Sequence, residues 1–131
     1  MADTFNVFLV DDNEIDIVVN SKLLRLANVT DSITAFNSGG QMMSYFSEHA
    51  KALSSQVNVI LLDIQMPEKD GFECLDDLAT LPKKFIKSTK VFMLSASIDR
   101  NDILRAEQKG GVVRVMEKPL DVYLLQRLLK S

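Results

Sequence analysis

Five short apolar runs, each closed by polar turn formers and followed by a segment of helical spacing, constrain this chain more than any other feature. They cover residues 5–10, 33–36, 59–62, 91–94 and 112–116. Runs of this length, rich in β-branched residues, read as strands buried on both faces. Between them, Ile15, Val18, Val19, Leu23, Leu24 and Leu26 recur at three- and four-residue steps after a cap at Asp12 or Asn13. A second helix, carrying Met42, Met43, Tyr45 and Phe46 as core or half-core residues, follows the turn Asn37-Ser38-Gly39-Gly40. A third covers 72–81 with Phe72, Leu75 and Leu78 inward, is stopped by Pro82, and is followed by a polar loop. The fourth, 98–109, has few apolar anchors and is closed by Gly110-Gly111. The fifth covers 120–130. Strand-helix alternation with right-handed crossovers predicts one α/β domain over 1–131, a doubly wound parallel sheet with helices on both faces. All strand C-terminal ends then open on one edge.

Composition narrows the function classes. The 131 residues suffice for a buried core, and 47% apolar with 25% charged residues is ordinary for a soluble domain. A net charge of -3 gives no electrostatic case for nucleic acid. Lys83, Lys84, Lys87 and Lys90 read as a solvated loop surface. One cysteine, Cys74, rules out an internal disulfide and fits a reducing compartment, where it fills an apolar helical pattern. No segment has the length of a membrane span and the N-terminus lacks a signal pattern, so a cytoplasmic protein with no membrane contact is expected. Gly39-Gly40 lacks the spacing of a phosphate loop and reads as a tight turn. His49, near a helix end, reads as solvated or as compensating the helix dipole.

The strand ends carry the chemistry. In open α/β sheets ligands bind at this edge, where loops diverge and helices begin with unpaired N–H groups. Asp63 alone reads better as a cap of the next helix. It is accompanied by Asp11 and Asp12 after the first strand, Ser95 after the fourth and Lys118 after the fifth, where Pro119 favours an extended backbone. Two ionised carboxylates about 4 Å apart repel by roughly 4 kcal/mol at an effective dielectric near 20, so three together need a cation. Oxygen-only ligands suit Mg²⁺, with Mn²⁺ as a substitute. Carboxylate, metal, ammonium and hydroxyl are the parts needed for in-line phosphoryl transfer. Asp63, placed centrally, is the expected nucleophile and would carry an aspartyl phosphate. Lys118 and the Ser95 hydroxyl would bind its phosphoryl oxygens.

Asp11-Asp12, the run Asp63-x-x-Met66-Pro67-x-x-Asp70-Gly71, Ser95-Ala96 and Lys118-Pro119 together resemble the receiver domain of two-component response regulators, over essentially the whole chain. The resemblance implies a (βα)5 flavodoxin-like fold with strand order 2-1-3-4-5. It implies Asp63 as phosphoacceptor, a Mg²⁺ site of Asp11, Asp12, Asp63 and the backbone carbonyl of Gln65, Ser95 as switch hydroxyl, and Lys118 on the phosphoryl group. The family's aromatic three residues before the lysine is Val115 here, too stiff for an inward swing. Gly111 replaces a common alanine at the start of the fifth strand. Gln65 and Ser97, at positions that influence phosphate hydrolysis, are polar and uncharged, which implies an intermediate lifetime.

The resemblance also implies a sensor histidine kinase or histidine phosphotransfer protein as phosphodonor and a downstream protein as reader. No output domain is expected within 1–131, which fits either a single-domain regulator or a piece of a longer protein. Such a domain is a signalling receiver, catalysing only its own phosphorylation and dephosphorylation. The enzyme alternative, a Mg²⁺-dependent aspartyl-phosphate phosphohydrolase, usually has an acid where Gln65 stands. A histidine phosphotransfer module would need an exposed histidine on a helical bundle, and ranks last. In the last helix, Leu120, Leu124 and Leu128 are expected against the sheet. Val122, Leu125 and Leu129 form either a partner or phosphorylation-dependent dimer surface or part of a broad buried face.

Overall fold

The computed structural model describes residues 5–130; residues 1–4 and 131, at the ends of the expected domain, lie outside the described residues. The elements run β1 Phe5–Val10, α1 Glu14–Leu26, β2 Ser32–Phe36, α2 Gly39–Leu53, β3 Val57–Asp63, α3 Gly71–Leu78, α4 Lys83–Lys87, β4 Thr89–Ser95, α5 Arg100–Lys109, β5 Val112–Glu117 and α6 Val122–Lys130. All five strands are parallel, in the order β2-β1-β3-β4-β5. This is the doubly wound flavodoxin-like sheet expected from the alternation.

The period-two alternation of strand side chains builds two cores. Phe8, Val10, Ile60, Leu62, Val91 and Met93 point to the side covered by α2, α3, α4 and α5. Val7, Leu9, Val59, Leu61, Phe92 and Leu94 point to the side covered by α1 and α6. The first core is bound by rings: Phe8 meets Phe46 edge-on at 4.9 Å, and Phe46 meets Phe85 at 5.0 Å. Apolar side chains this well buried each contribute about 1.5–3 kcal/mol.

Several expectations are corrected. The polar loop after Pro82 contains α4, because Phe85, 1% exposed, anchors that turn in the core while Lys83, Lys84 and Lys87 stay outside. The third helix accordingly stops at Leu78, and the fourth begins at Arg100 behind an Asp99–Asp102 capping box. At the C-terminal end Leu120 is buried as expected, but in α6 itself Val122, Leu125 and Leu129 are the buried residues against the sheet, and Leu124 and Leu128 are half-buried at its flank. Asp121, whose carboxylate accepts from the Leu124 N–H, starts this helix after Leu120 and sets that phase. The broad buried face is the reading that holds, and Leu125 is no free docking surface.

In α1, capped by Asn13, only Asn20 and Leu24 are fully buried; Ile15, Val18, Val19 and Leu26 are exposed. His49 is neither fully solvated nor isolated: its ring stacks on Tyr45 at 4.1 Å and its Nδ1 lies 2.9 Å from the Tyr45 carbonyl. Cys74 is buried, as expected, and burial pushes its thiol up to about 11.

Gly71 fixes how closely α3 starts to the end of β3. A Cβ there would lie 2.6 Å from the Asp63 carbonyl oxygen and 3.0 Å from the Ile64 Cα, backbone atoms that cannot step aside. Its own N–H donates to the Ile64 carbonyl at 2.8 Å. Gly71→Ala is therefore expected to destabilise the domain by about 1–3 kcal/mol, read as a lower urea midpoint at unchanged slope. An unchanged midpoint would show that this approach is not tight.

Candidate functional site: an acidic cluster with one lysine

Register brings the strand ends into a row. Val10 pairs with Leu62, Asp63 with Leu94 and Ser95 with Glu117, so Asp11, Asp63, Ser95 and Lys118 follow on adjacent strands. Backbone bonds continue past the strands: Asp11 N–H donates to the Phe36 carbonyl at 3.0 Å, Ile64 N–H to Leu94 at 2.9 Å and Lys118 N–H to Ser95 at 2.8 Å. The Lys118–Pro119 peptide is cis. The site is positioned by the sheet itself and not by loose loops.

Carboxylate oxygens of Asp11, Asp12 and Asp63 lie within 4.8 Å of one another. Asp11 and Asp63 are each 4% exposed, whereas Asp12 faces solvent. The Lys118 ammonium lies 2.8 Å from Asp11 Oδ2, 2.9 Å from Asp16 Oδ2 and 3.5 Å from Asp63 Oδ1. Gln65 donates its backbone N–H to Asp63 Oδ1 at 3.3 Å. Asn13, besides capping α1, donates its N–H to Asp11 Oδ1 at 2.9 Å. Four of the expected site residues, Asp11, Asp12, Asp63 and Lys118, are thus brought together.

Ser95 stands in the same row and is 1% exposed, but its hydroxyl is engaged locally. It donates to the Ser97 carbonyl at 2.8 Å and accepts from the Ser97 N–H at 3.2 Å. Ser95 would have to break a bond to reach a group on Asp63.

The charges are strongly perturbed. Burial first, then the charge of Asp11, raises the Asp63 carboxyl to about 7, against the lowering effect of Lys118 and the Gln65 N–H. For Lys118, burial pulls downward, but the close carboxylates of Asp11 and Asp16 and the charge of Asp63 outweigh it and hold the ammonium above the ordinary lysine value. Lys118 is therefore a fixed cation, and the cluster is short of positive charge.

The donor set fits a hard divalent ion. It is all oxygen, and among the described residues Asp11 Oδ2 is the buried side-chain atom without an aligned hydrogen bond, its contact with Lys118 being ionic only. A buried carboxylate oxygen left in that condition favours a cation.

Two residues at this site escaped the sequence reading. Asp16 lies in the first turn of α1, where an acid reads as a partner of the helix dipole. Asn20, buried at 4% exposure, accepts from the Leu120 N–H at 3.4 Å. Their signal was the i, i+4 spacing on one helix face. It becomes meaningful only when α1 packs beside the segment after β5.

Comparison with known proteins agrees with this geometry. Residues 7–130 match the family model of the response regulator receiver domain. A response regulator receiver protein from Dyadobacter fermentans is 32% identical, with 97% of this chain and 96% of that chain covered and a TM-score of 0.86. CheY in a CheX–CheY–BeF3–Mg complex from Borrelia burgdorferi is represented by a chain 27% identical, with 96% and 87% covered and a TM-score of 0.71. Ethylene receptor 2 of Arabidopsis thaliana is 31% identical over 126 residues, 92% of this chain and 16% of the receptor. The chain spans only 5% to 16% of the large kinase and receptor relatives it matches. No helix among the described residues is long and apolar enough to cross a membrane. Fold, row of charged strand ends and family model agree: the chain belongs to the response regulator receiver domain family.

Proposed function

We propose that this chain is a cytoplasmic phosphoacceptor of a two-component phosphorelay, taking a phosphoryl group on Asp63 from a sensor histidine kinase or histidine phosphotransfer protein. The observation that carries the reading is the buried Asp63 carboxylate, grouped with Asp11 and Asp12 and 3.5 Å from the Lys118 ammonium. Asp63 attacks phosphorus in line, an Asp63 O–P bond forms, the donor's N–P bond breaks, and its imidazole leaves with the electron pair. Lys118 binds a phosphoryl oxygen and Ser95 another. Mg²⁺, or Mn²⁺ in its place, held by Asp11, Asp12, Asp63 and the Gln65 carbonyl, would offset the carboxylate charge and that of the incoming group. The complex of the Borrelia neighbour with Mg and BeF3 supports that choice of ion. The exposed stripe Ile15, Val18, Val19 and Leu26 runs down α1 from the site and is a surface for a helical phosphodonor.

Phosphorylation is read through α5. Ala106 is its one fully buried residue, and its ties to α3 are polar and partly open to water. Lys109 pairs with Asp76 at 2.9 Å, and the Arg105 guanidinium lies 4.3 Å over the Phe72 ring beside a cleft of about 490 Å³ that Met66, Pro67 and Asp102 also line, so α5 can be remade at low cost. Drawing Ser95 toward the phosphoryl group releases its bonds to Ser97 and frees the chain leading into α5. Half-buried Val115 leaves this hydroxyl as the main lever. The altered α5 face then engages a downstream protein or a second copy of the chain.

Incubation with Mg²⁺ and phosphoramidate should add one phosphoryl group by intact mass, mapped to Asp63 and absent in Asp63→Asn. Repeated turnover of phosphate esters would instead indicate a phosphohydrolase. In wild type, phosphorylation should change amide exchange over residues 96–109, and Ser95→Ala should remove roughly half or more of that change; an intact response in the variant rules out this route.

The acceptor should also show in stability. The folded pKa of Asp63, about 7, lies above its ordinary 3.8, so its contribution is complete below about pH 4 and is lost as pH rises through about 7. In a chelator, Asp63→Asn should match wild type near pH 4 and exceed it at pH 8 by about 4 kcal/mol, the full size of the shift. Urea denaturation across that range gives the difference, and a pH-independent gap would contradict the assigned environment.

A further inference from the structure

We infer that Asp16 is a positioning residue that holds Lys118 in reserve and so restrains phosphorylation of Asp63. This rests on the receiver reading and adds a fourth carboxylate, outside the proposed metal set, that regulates the same site. Lys118 Nζ donates an aligned hydrogen bond to Asp16 Oδ2 at 2.9 Å, while its contact with Asp11 is ionic and that with Asp63 is the longest at 3.5 Å. The two shortest contacts of the ammonium are therefore made to carboxylates other than Asp63.

The restraint is built into the packing of α1. Asp16 and Asn20, one helical turn apart, both face the segment after β5: Asp16 takes the Lys118 ammonium and Asn20 accepts from the Leu120 N–H. The segment's backbone and its charged side chain are thus tied to one helix face. Asn20 is buried, whereas the Asp16 side chain is 34% exposed, so the backbone tie is shielded and the ionic tie is open to water. A partly exposed pair of this kind can yield when a stronger acceptor arrives.

A phosphoryl oxygen on Asp63 would compete with Asp16 for the Lys118 ammonium, which lies closer to Asp16 than to Asp63. Asp16 also places a negative charge beside the path of an anionic donor. Both effects act in the same direction: the Asp16 carboxylate slows entry of the phosphoryl group.

The test uses the whole chain with Mg²⁺ and phosphoramidate, comparing wild type, Asp16→Asn, Asp16→Ser and Asp16→Glu after their folding has been checked by circular dichroism. Asp16→Asn and Asp16→Ser should phosphorylate about three- to fivefold faster, the size of a partly exposed ion pair. Asp16→Glu should return toward the wild-type rate. Raising the salt concentration should narrow the gap, because it weakens the restraining pair only in wild type. In metal-free protein without donor, the Lys118 side-chain resonance should shift in Asp16→Asn. Phosphorylation of Asp63 at the wild-type rate or slower in both neutral variants, or an unmoved Lys118 resonance, overturns the role of Asp16 while leaving the receiver reading intact. Failure of wild type itself to take phosphate on Asp63 overturns both.

Discussion

Hydrogen-bond ladders place Asp11 and Asp63 at the ends of neighbouring strands whatever those side chains carry, and Lys118, arriving from the far strand, is the cation that makes their nearness tolerable. Burial and the neighbouring charge both oppose ionisation of Asp63, which is why its carboxyl is raised to about 7. The ammonium answers part of that opposition and is itself held in the charged form. What is left is a deficit of positive charge at a rigid position, the condition that favours a divalent cation among these carboxylates.

The rest of the molecule keeps that deficit in place. The central strands β1, β3 and β4, buried on both faces, allow little lateral movement, since shifting any one of them would disturb two cores. Gly71 lets α3 begin against the backbone of Asp63, and the Asp70–Glu73 capping box starts the helix there. Rigid support on the β3 side contrasts with the thinly packed α5 on the other.

The grouping of Asp63, its acidic neighbours and the lysine was legible because parallel strands joined by right-handed crossovers must all end on one edge. Residues at those ends meet regardless of packing detail, so Asp11, Asp12, Asp63 and Lys118 could be grouped from their places after apolar runs. Helix faces were less legible. In α6, leucines and a valine lie on two sides, and spacing alone could not choose between Leu124 and Leu125; the helix start at Asp121 chose Leu125. Phe85 drew a lysine-rich stretch into a helical turn because its ring had a place beside Phe46. The Ser95 hydroxyl was legible as a residue but not as a bond, since its engagement with Ser97 depends on the local path of the loop.

Sequence alone determined the alternation of strands and helices, the single parallel sheet and the identity of the groups at its reactive edge, because short-range periodicity and strand-end position are properties of the chain read in order. Tertiary structure decided which face of each helix is buried and how the Lys118 ammonium is divided among Asp11, Asp16 and Asp63. Asp16 and Lys118 are 102 residues apart, and their contact exists only because α1 crosses beside the end of β5. Electrostatic partners are chosen by distance in space, and no spacing along the chain encodes that distance.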